Sequence, residues 1–184
     1  GIDTENPDFY PEEGESQLKA VYQPSKDKTF IIKHMDLELS FSYALKEVYG
    51  KQKLKMSPYF YPSNYVVLDA KGMEILSVMA DGKELQHLYT NNELYVLFGR
   101  KLNRNEEISL EINYIARPDE IKNEAGAAIS DSKGWYFINP DKSDSNKPRQ
   151  IWTQGETEYN SCWFPIIDAP NQKLTHDIKV TLYK

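Results

Sequence analysis

The sequence predicts an all-β protein, a saddle-shaped antiparallel β-sandwich of many short strands. Three observations point there. Apolar and polar residues alternate with period two in several stretches, the pattern of a strand with one buried face. Turn dipeptides such as Asp81-Gly82 separate these stretches at close intervals. No stretch has the apolar spacing of an amphipathic helix, and 13 Tyr together with many Val, Ile and Thr suit strands.

Residues 1–28 are polar and acidic, broken by Pro7, Pro11 and Pro24, with Glu12, Glu13 and Glu15 clustered. They read as an irregular extended arm ahead of one domain, 29–184. Met35, Leu37, Leu39, Phe41 and Tyr43 then alternate with polar residues as a first strand. A turn is expected at 47–50. Gln52, Leu54 and Met56 follow against Lys51, Lys53 and Lys55, whose charges suit a solvent face that discourages edge pairing. Pro58 and Pro62 bracket Tyr59-Phe60-Tyr61, a strand end or bulge. Strands are expected at 65–69 and 75–80, with a turn at Lys71-Gly72 between them. Asp81-Gly82 turns the chain into 84–89, which should pair back on its predecessor. Asn91-Asn92 turns it again into 93–98, and 99–105 reads as a loop. Ile108, Leu110, Ile112 and Tyr114 alternate as a further strand, stopped by Pro118. Residues 119–123 suit one helical turn, and the region of Gly126 a loop. Trp135-Tyr136-Phe137-Ile138 is strand-like, and 139–148 reads as a mobile polar loop. The closing strand, 177–183, puts Ile178, Val180 and Leu182 on one face. It needs a neighbour, and the first strand is a candidate that would bring the ends of the domain together.

With 184 residues the chain fits one domain with an arm. A hydrophobic content of 40% is globular rather than disordered. The net charge of -6 and the absence of a basic run argue against a nucleic-acid partner. Apolar runs are strand-sized, far short of the roughly 20 residues that span a bilayer, so no membrane span is expected. Cys162 is the sole cysteine, which rules out an intrachain disulfide and a thiolate zinc cluster. The chain opens on Gly1, which leaves a removed leader or an added residue as alternatives; a removed leader points to an extracytoplasmic location.

The least generic stretch is 149–170. It holds Trp152, Trp163, Phe164, Pro165, Pro170, Gly155 and Cys162 together with Glu156, Glu158 and Asp168. Two readings stand: a binding loop held between aromatic anchors, or a buried aromatic plug with a solvated Glu. Other chemistry finds little support. His34, His87 and His176 lie far apart and no His-Glu-x-x-His is present, so no metal site is expected in this chain. His34 reads as a strand-edge histidine. Cys162 beside Trp163, with no nearby His, reads as a buried inert thiol. There is no Gly-x-Ser-x-Gly elbow and no glycine-rich phosphate loop. Asp131 with Asp141, or Glu156 with Glu158, resemble the carboxylate pairs of glycosidases, but such pairs are common by chance. What remains is Glu156 as a carboxylate able to hold an ammonium by a charge-assisted hydrogen bond. The chain is therefore expected to contribute to a site, with no catalytic residue of its own.

Several blocks fall in a telling order. They are His34-Met35-Asp36-Leu37-Glu38-Leu39, Leu68-Asp69-Ala70-Lys71-Gly72-Met73-Glu74-Ile75 and Gly134-Trp135-Tyr136-Phe137, then Thr153-Gln154-Gly155-Glu156 and Trp163-Phe164-Pro165-x-x-Asp168-x-Pro170-x-x-Lys173. From about His34 onward the chain resembles the N-terminal β-domain of the M1 family of zinc aminopeptidases, the gluzincins. The resemblance implies a saddle of antiparallel strands packed on a thermolysin-like catalytic domain of the same polypeptide. In such enzymes zinc and the Gly-x-Met-Glu-Asn motif belong to that second domain, and neither that motif nor a zinc motif occurs here. By motif match, Glu156 would bind the free α-amine of a peptide substrate, with Gln154 and Gly155 beside it in the substrate-binding loop and Gln154 orienting it. Trp163, Phe164, Pro165, Asp168 and Pro170 would form its scaffold. The resemblance also implies a non-proline cis peptide bond just after Glu156. Two positions depart from the family pattern: Ser161 stands for its Arg and Ile166 for its Cys. The alternative from another class is a stand-alone β-sandwich module that binds a protein or glycan through Trp135, Trp152 and Trp163, without enzymatic activity.

Overall fold

A computed structural model of the chain describes residues 28–121 and 133–182. The expected arm before Lys28, the Gly126 loop and Asp131 lie outside them. The described residues form eleven strands: β1 (Phe30–Ser42), β2 (Glu47–Pro58), β3 (Ser63–Asp69), β4 (Met73–Ala80), β5 (Lys83–Glu84), β6 (His87–Thr90), β7 (Glu93–Leu102), β8 (Ile108–Ala116), β9 (Trp135–Ile138), β10 (Gln150–Thr153) and β11 (Thr175–Thr181). A six-stranded sheet has the order β11-β1-β2-β8-β4-β5, a three-stranded sheet the order β3-β7-β6, and β9 pairs with β10. Leu37, Leu54, Leu110, Ile112 and Val78 of the first sheet share one core with Val66, Leu68, Leu94 and Val96 of the second. The fold is thus the all-β sandwich expected. The only helical pieces among the described residues are two short 3-10 turns, Pro118–Glu120 and Asn160–Cys162.

Several strands differ from the pattern reading, each for a local reason. β1 starts at Phe30 because a bulge between Ile32 and His34 shifts the register, so that Ile32 and Met35 both point inward. The turn into β2 falls at residues 43–46, with Lys46 at φ 53, and not at 47–50. Gly50 sits inside β2 because any Cβ there would collide with the Tyr114 ring. β2 is a central strand, between β1 and β8, so its lysines guard no edge. They pair instead across the solvent face, Lys53 with Glu111 at 3.6 Å and Lys55 with Glu107 at 2.9 Å. After Asp81 and Gly82, at φ 51 and 74, the returning strand breaks at residues 85–86 and changes sheets. Leu85 and Gln86 carry the switch: the Leu85 N–H donates to the Val78 carbonyl at 2.8 Å, and the Leu97 N–H to the Gln86 carbonyl at 2.9 Å. β7 runs past Gly99 to the fully buried Leu102, so 99–105 is only in part a loop. Asn139 ties the loop after β9 together, its amide donating to the Asp144 and Lys147 carbonyls.

The closing strand does find the first strand, but it lies parallel to β1, in an otherwise antiparallel fold. Leu37 and Leu39 of β1 are buried, while their partners Ile178 and Val180 remain 44% and 49% exposed.

Candidate functional site

The loop after β10 is held from three sides. At its start the Gln154 N–H donates to the Gly134 carbonyl at 2.9 Å. Gly134 has φ 71, and a Cβ there would strike the Tyr159 carbonyl, so only glycine lets residues 159–163 lie on this point. Gly155 is needed for a similar reason, since a side chain would collide with Asn160. The Tyr159 N–H returns to the Gly155 carbonyl at 3.1 Å and closes the turn. On the second side, Lys71 clamps the loop. Its backbone N–H donates to the Ser161 carbonyl at 2.7 Å, its ammonium to the Glu158 carbonyl at 2.9 Å, and the ammonium lies 5.3 Å from the Tyr159 ring centre.

The third side is the core. Trp163 and Phe164 are buried and stack edge to face at 4.4 Å, and Trp163 packs on Trp135 at 5.5 Å. Two buried polar side chains suspend this segment from the large sheet. The Tyr114 hydroxyl donates to the Trp163 carbonyl at 2.8 Å, and the Gln52 amide to the Pro165 carbonyl at 2.8 Å. Asp69 and Ile166 exchange backbone hydrogen bonds of 2.7 and 3.0 Å. Asp168 is buried and accepts the Ser161 N–H at 2.8 Å. Burial pushes its carboxyl above the usual range, against the opposing pull of that N–H and of Lys71.

Of the residues expected to support the loop, Trp163, Phe164, Pro165 and Asp168 are buried, and Pro170 is exposed in the following turn. Gln154 and Glu156 are exposed on the loop, and Gly155 is half-buried. The Glu156–Thr157 peptide bond is cis, as the resemblance implied. Glu156 has no hydrogen-bond or ion-pair partner among the described residues. Cys162 is fully buried, and burial pushes its thiol up to about 11, so it offers no thiolate. Of the three tryptophans proposed to bind a partner, Trp135 and Trp163 belong to the core; only Trp152, 65% exposed, is free to meet one.

Reading the sequence missed Gln52, Tyr114, Lys71, Asn160 and Gly134 as supports. One signal was present: Gln52 is a polar residue in the buried phase of β2, in step with Leu54 and Met56. Next to the loop runs a groove of about 450 Å³ lined by Asn160, Trp163, Ile167, Leu174, His176 and Ile178. The arrangement presents an exposed, unpaired carboxylate on a loop whose backbone is anchored, with a groove of mixed polar and apolar lining next to Asn160. Such a carboxylate suits binding a cation, and the one thiol near it among the described residues, Cys162, is buried.

Comparison with known proteins bears on the fold and the family. The chain is 30% identical over 131 residues to probable aminopeptidase 1 of Sulfurisphaera tokodaii, a match covering 71% of this chain and 14% of that protein. Its structure resembles an M1 zinc metallopeptidase from Deinococcus radiodurans bound to a Tyr-Ser-Ala substrate, with TM-score 0.69 and 18% identity over 88% of this chain and 34% of the other. It also resembles native leukotriene A4 hydrolase from Saccharomyces cerevisiae, with TM-score 0.60 and 18% identity over 95% of this chain and 28% of the other. At these identities the two structural likenesses speak to fold alone. The chain thus spans a small part of each relative's length. The peptidase M1 N-terminal domain model matches residues 31–184, taking in every described strand but the first residue of β1, and the chain belongs to that family.

Proposed function

We propose that this chain serves as the N-terminal, non-catalytic domain of a zinc-dependent aminopeptidase. It packs on the catalytic domain of the same polypeptide and contributes Glu156 to binding the substrate α-amine. The observation that carries the proposal is Glu156 itself: an exposed, unpartnered carboxylate on a loop whose backbone is anchored at Gly134, Lys71 and Asn160. The family membership supports the domain assignment. The probable aminopeptidase among the relatives supports peptide N-termini as the substrate class.

Chemistry supports this division of labour. A free N-terminal ammonium satisfies the carboxylate; an internal amide would leave it unpaired once the domains enclose it, which costs about 1–3 kcal/mol. Gln154 orients the loop through its N–H bond to Gly134. The three histidines do not fit the zinc centre of a gluzincin, because none begins or ends a His-Glu-x-x-His. Zinc is therefore assigned to the catalytic domain, where it would polarise the scissile carbonyl and activate water. The binding-module alternative draws no comparable support, since two of its three tryptophans are buried.

The test is kinetic. In the whole enzyme Glu156→Ala should raise KM and lower kcat/KM by about 10- to 100-fold, the worth of one charge-assisted hydrogen bond. Zinc content should stay the same. Unchanged kinetics on an aminoacyl reporter would remove Glu156 from the site.

A further inference from the structure

The parallel pairing of β11 with β1 sets Asp36 opposite Asp177 and His34 opposite Thr175. Residues two apart on a strand share a face, so these side chains stand together on the solvent side, opposite buried Met35 and Leu37. Two carboxylates directly across a strand pair repel unless something neutralises them. His34 Nε2 lies 3.3 Å from an Asp36 oxygen and 3.6 Å from an Asp177 oxygen. All three ligand atoms fall within 4.8 Å of one another.

We infer that His34, Asp36 and Asp177 bind a divalent transition-metal ion that clips β11 to β1. The two separations from His34 fit: two ligand atoms about 2.1 Å from one metal, at a tetrahedral angle, stand about 3.4 Å apart. The ring is also oriented for the task. The Thr175 hydroxyl donates to the Lys33 carbonyl at 3.2 Å, so it accepts at 2.8 Å from the His34 Nδ1–H. In the neutral ring that bond leaves the Nε2 lone pair facing the two acids, the arrangement by which a second-layer partner holds a metal-bound imidazole. Lys53 and Lys55 stand across from Asp36 and His34 on β2, but their ammonium groups turn to other acids. Lys53 and Lys55 pair with Glu111 and Glu107, and Lys179 reaches Glu38 at 4.0 Å. One imidazole nitrogen with two carboxylate oxygens suits Zn²⁺, Co²⁺ or Ni²⁺ better than Mg²⁺ or Ca²⁺, which favour all-oxygen shells. Exposure of Asp36 and Asp177 leaves room for water at the remaining positions. The cluster shares no residue with the Glu156 loop. Spacing along the sequence offered no hint of it, because the ligands come from the first and last strands.

Calorimetric titration of the metal-stripped, tag-free 184-residue chain tests the site. One equivalent of Zn²⁺ or Ni²⁺ should bind and raise Tm, while Mg²⁺ should do neither. His34→Gln, Asp36→Asn and Asp177→Asn should each weaken Zn²⁺ binding at least about tenfold. His176→Gln, a histidine outside the cluster, should leave it unchanged. Undiminished binding by the His34 and Asp177 variants would overturn the proposal. So would NMR signals of a doubly protonated His34 ring that one equivalent of Zn²⁺ fails to move, the mark of a plain ion pair.

Discussion

Tyr114 is fully buried, and its hydroxyl holds the Trp163 carbonyl at 2.8 Å. Burial pushes its phenol well above the ordinary value, so the group remains a donor at any working pH. Its ring lies over Gly50, in the space a Cβ would need. Tyr114→Phe should keep the packing and strand the carbonyl, costing about 1–2 kcal/mol of stability in chemical denaturation. In the proposed aminopeptidase it should also loosen the loop that Trp163 supports. The resemblance pointed to Glu156 because that residue sits in a recognisable block. Tyr114 was hidden, and Gln52 showed only as a polar residue in a buried phase, because the loop groups they hold are backbone carbonyls, and carbonyls leave no mark in a sequence.

Among elements, the solvent face of β1, β2 and the entry to β8 is tied together by Glu107. Its carboxylate lies 2.8 Å from Lys33 and 2.9 Å from Lys55, and those hydrogen bonds lower its pKa from 4.5 to about 2. A folded pKa below the unfolded one means stability that is present above about pH 4.5 and lost as pH falls toward 2. Wild type should therefore exceed Glu107→Gln in Tm at pH 7. The gap should narrow below pH 4.5, close near pH 2, and shrink with added salt at neutral pH. Strands of this kind were legible, since one buried face imposes period two. Their interruptions were not. The bulge before His34, the sheet change at Leu85-Gln86 and the run of β7 beyond Gly99 are set by what lies across the sheet, and a single strand's pattern does not record its neighbours.

At the scale of the molecule, Ile178, Val180 and Leu182 continue the core face of β1 out to 44%, 49% and 72% exposure. The proposed packing on a catalytic domain predicts that this stripe is covered in the whole protein. Val180→Asp should then cost the whole protein about 1.5–3 kcal/mol, the worth of one buried apolar side chain, as read by thermal unfolding. The 184-residue chain alone should change by no more than about 0.5 kcal/mol, as a surface site does. The fold class was legible at this scale because turn signals and alternation repeat along most of the chain. The direction of the last strand was not, since residue pattern is the same for parallel and antiparallel neighbours.

That direction has a mechanical consequence. Because β1 and β11 run the same way, the chain enters the pair at one end and leaves at the other. Tension applied through the two flanking segments would slide the strands past one another instead of peeling them apart. The paired positions from His34–Thr175 to Ser40–Thr181 would then resist together rather than one after another. The junction is built as a shear clasp, and whatever is pulled from its far side draws on the whole width of the sheet.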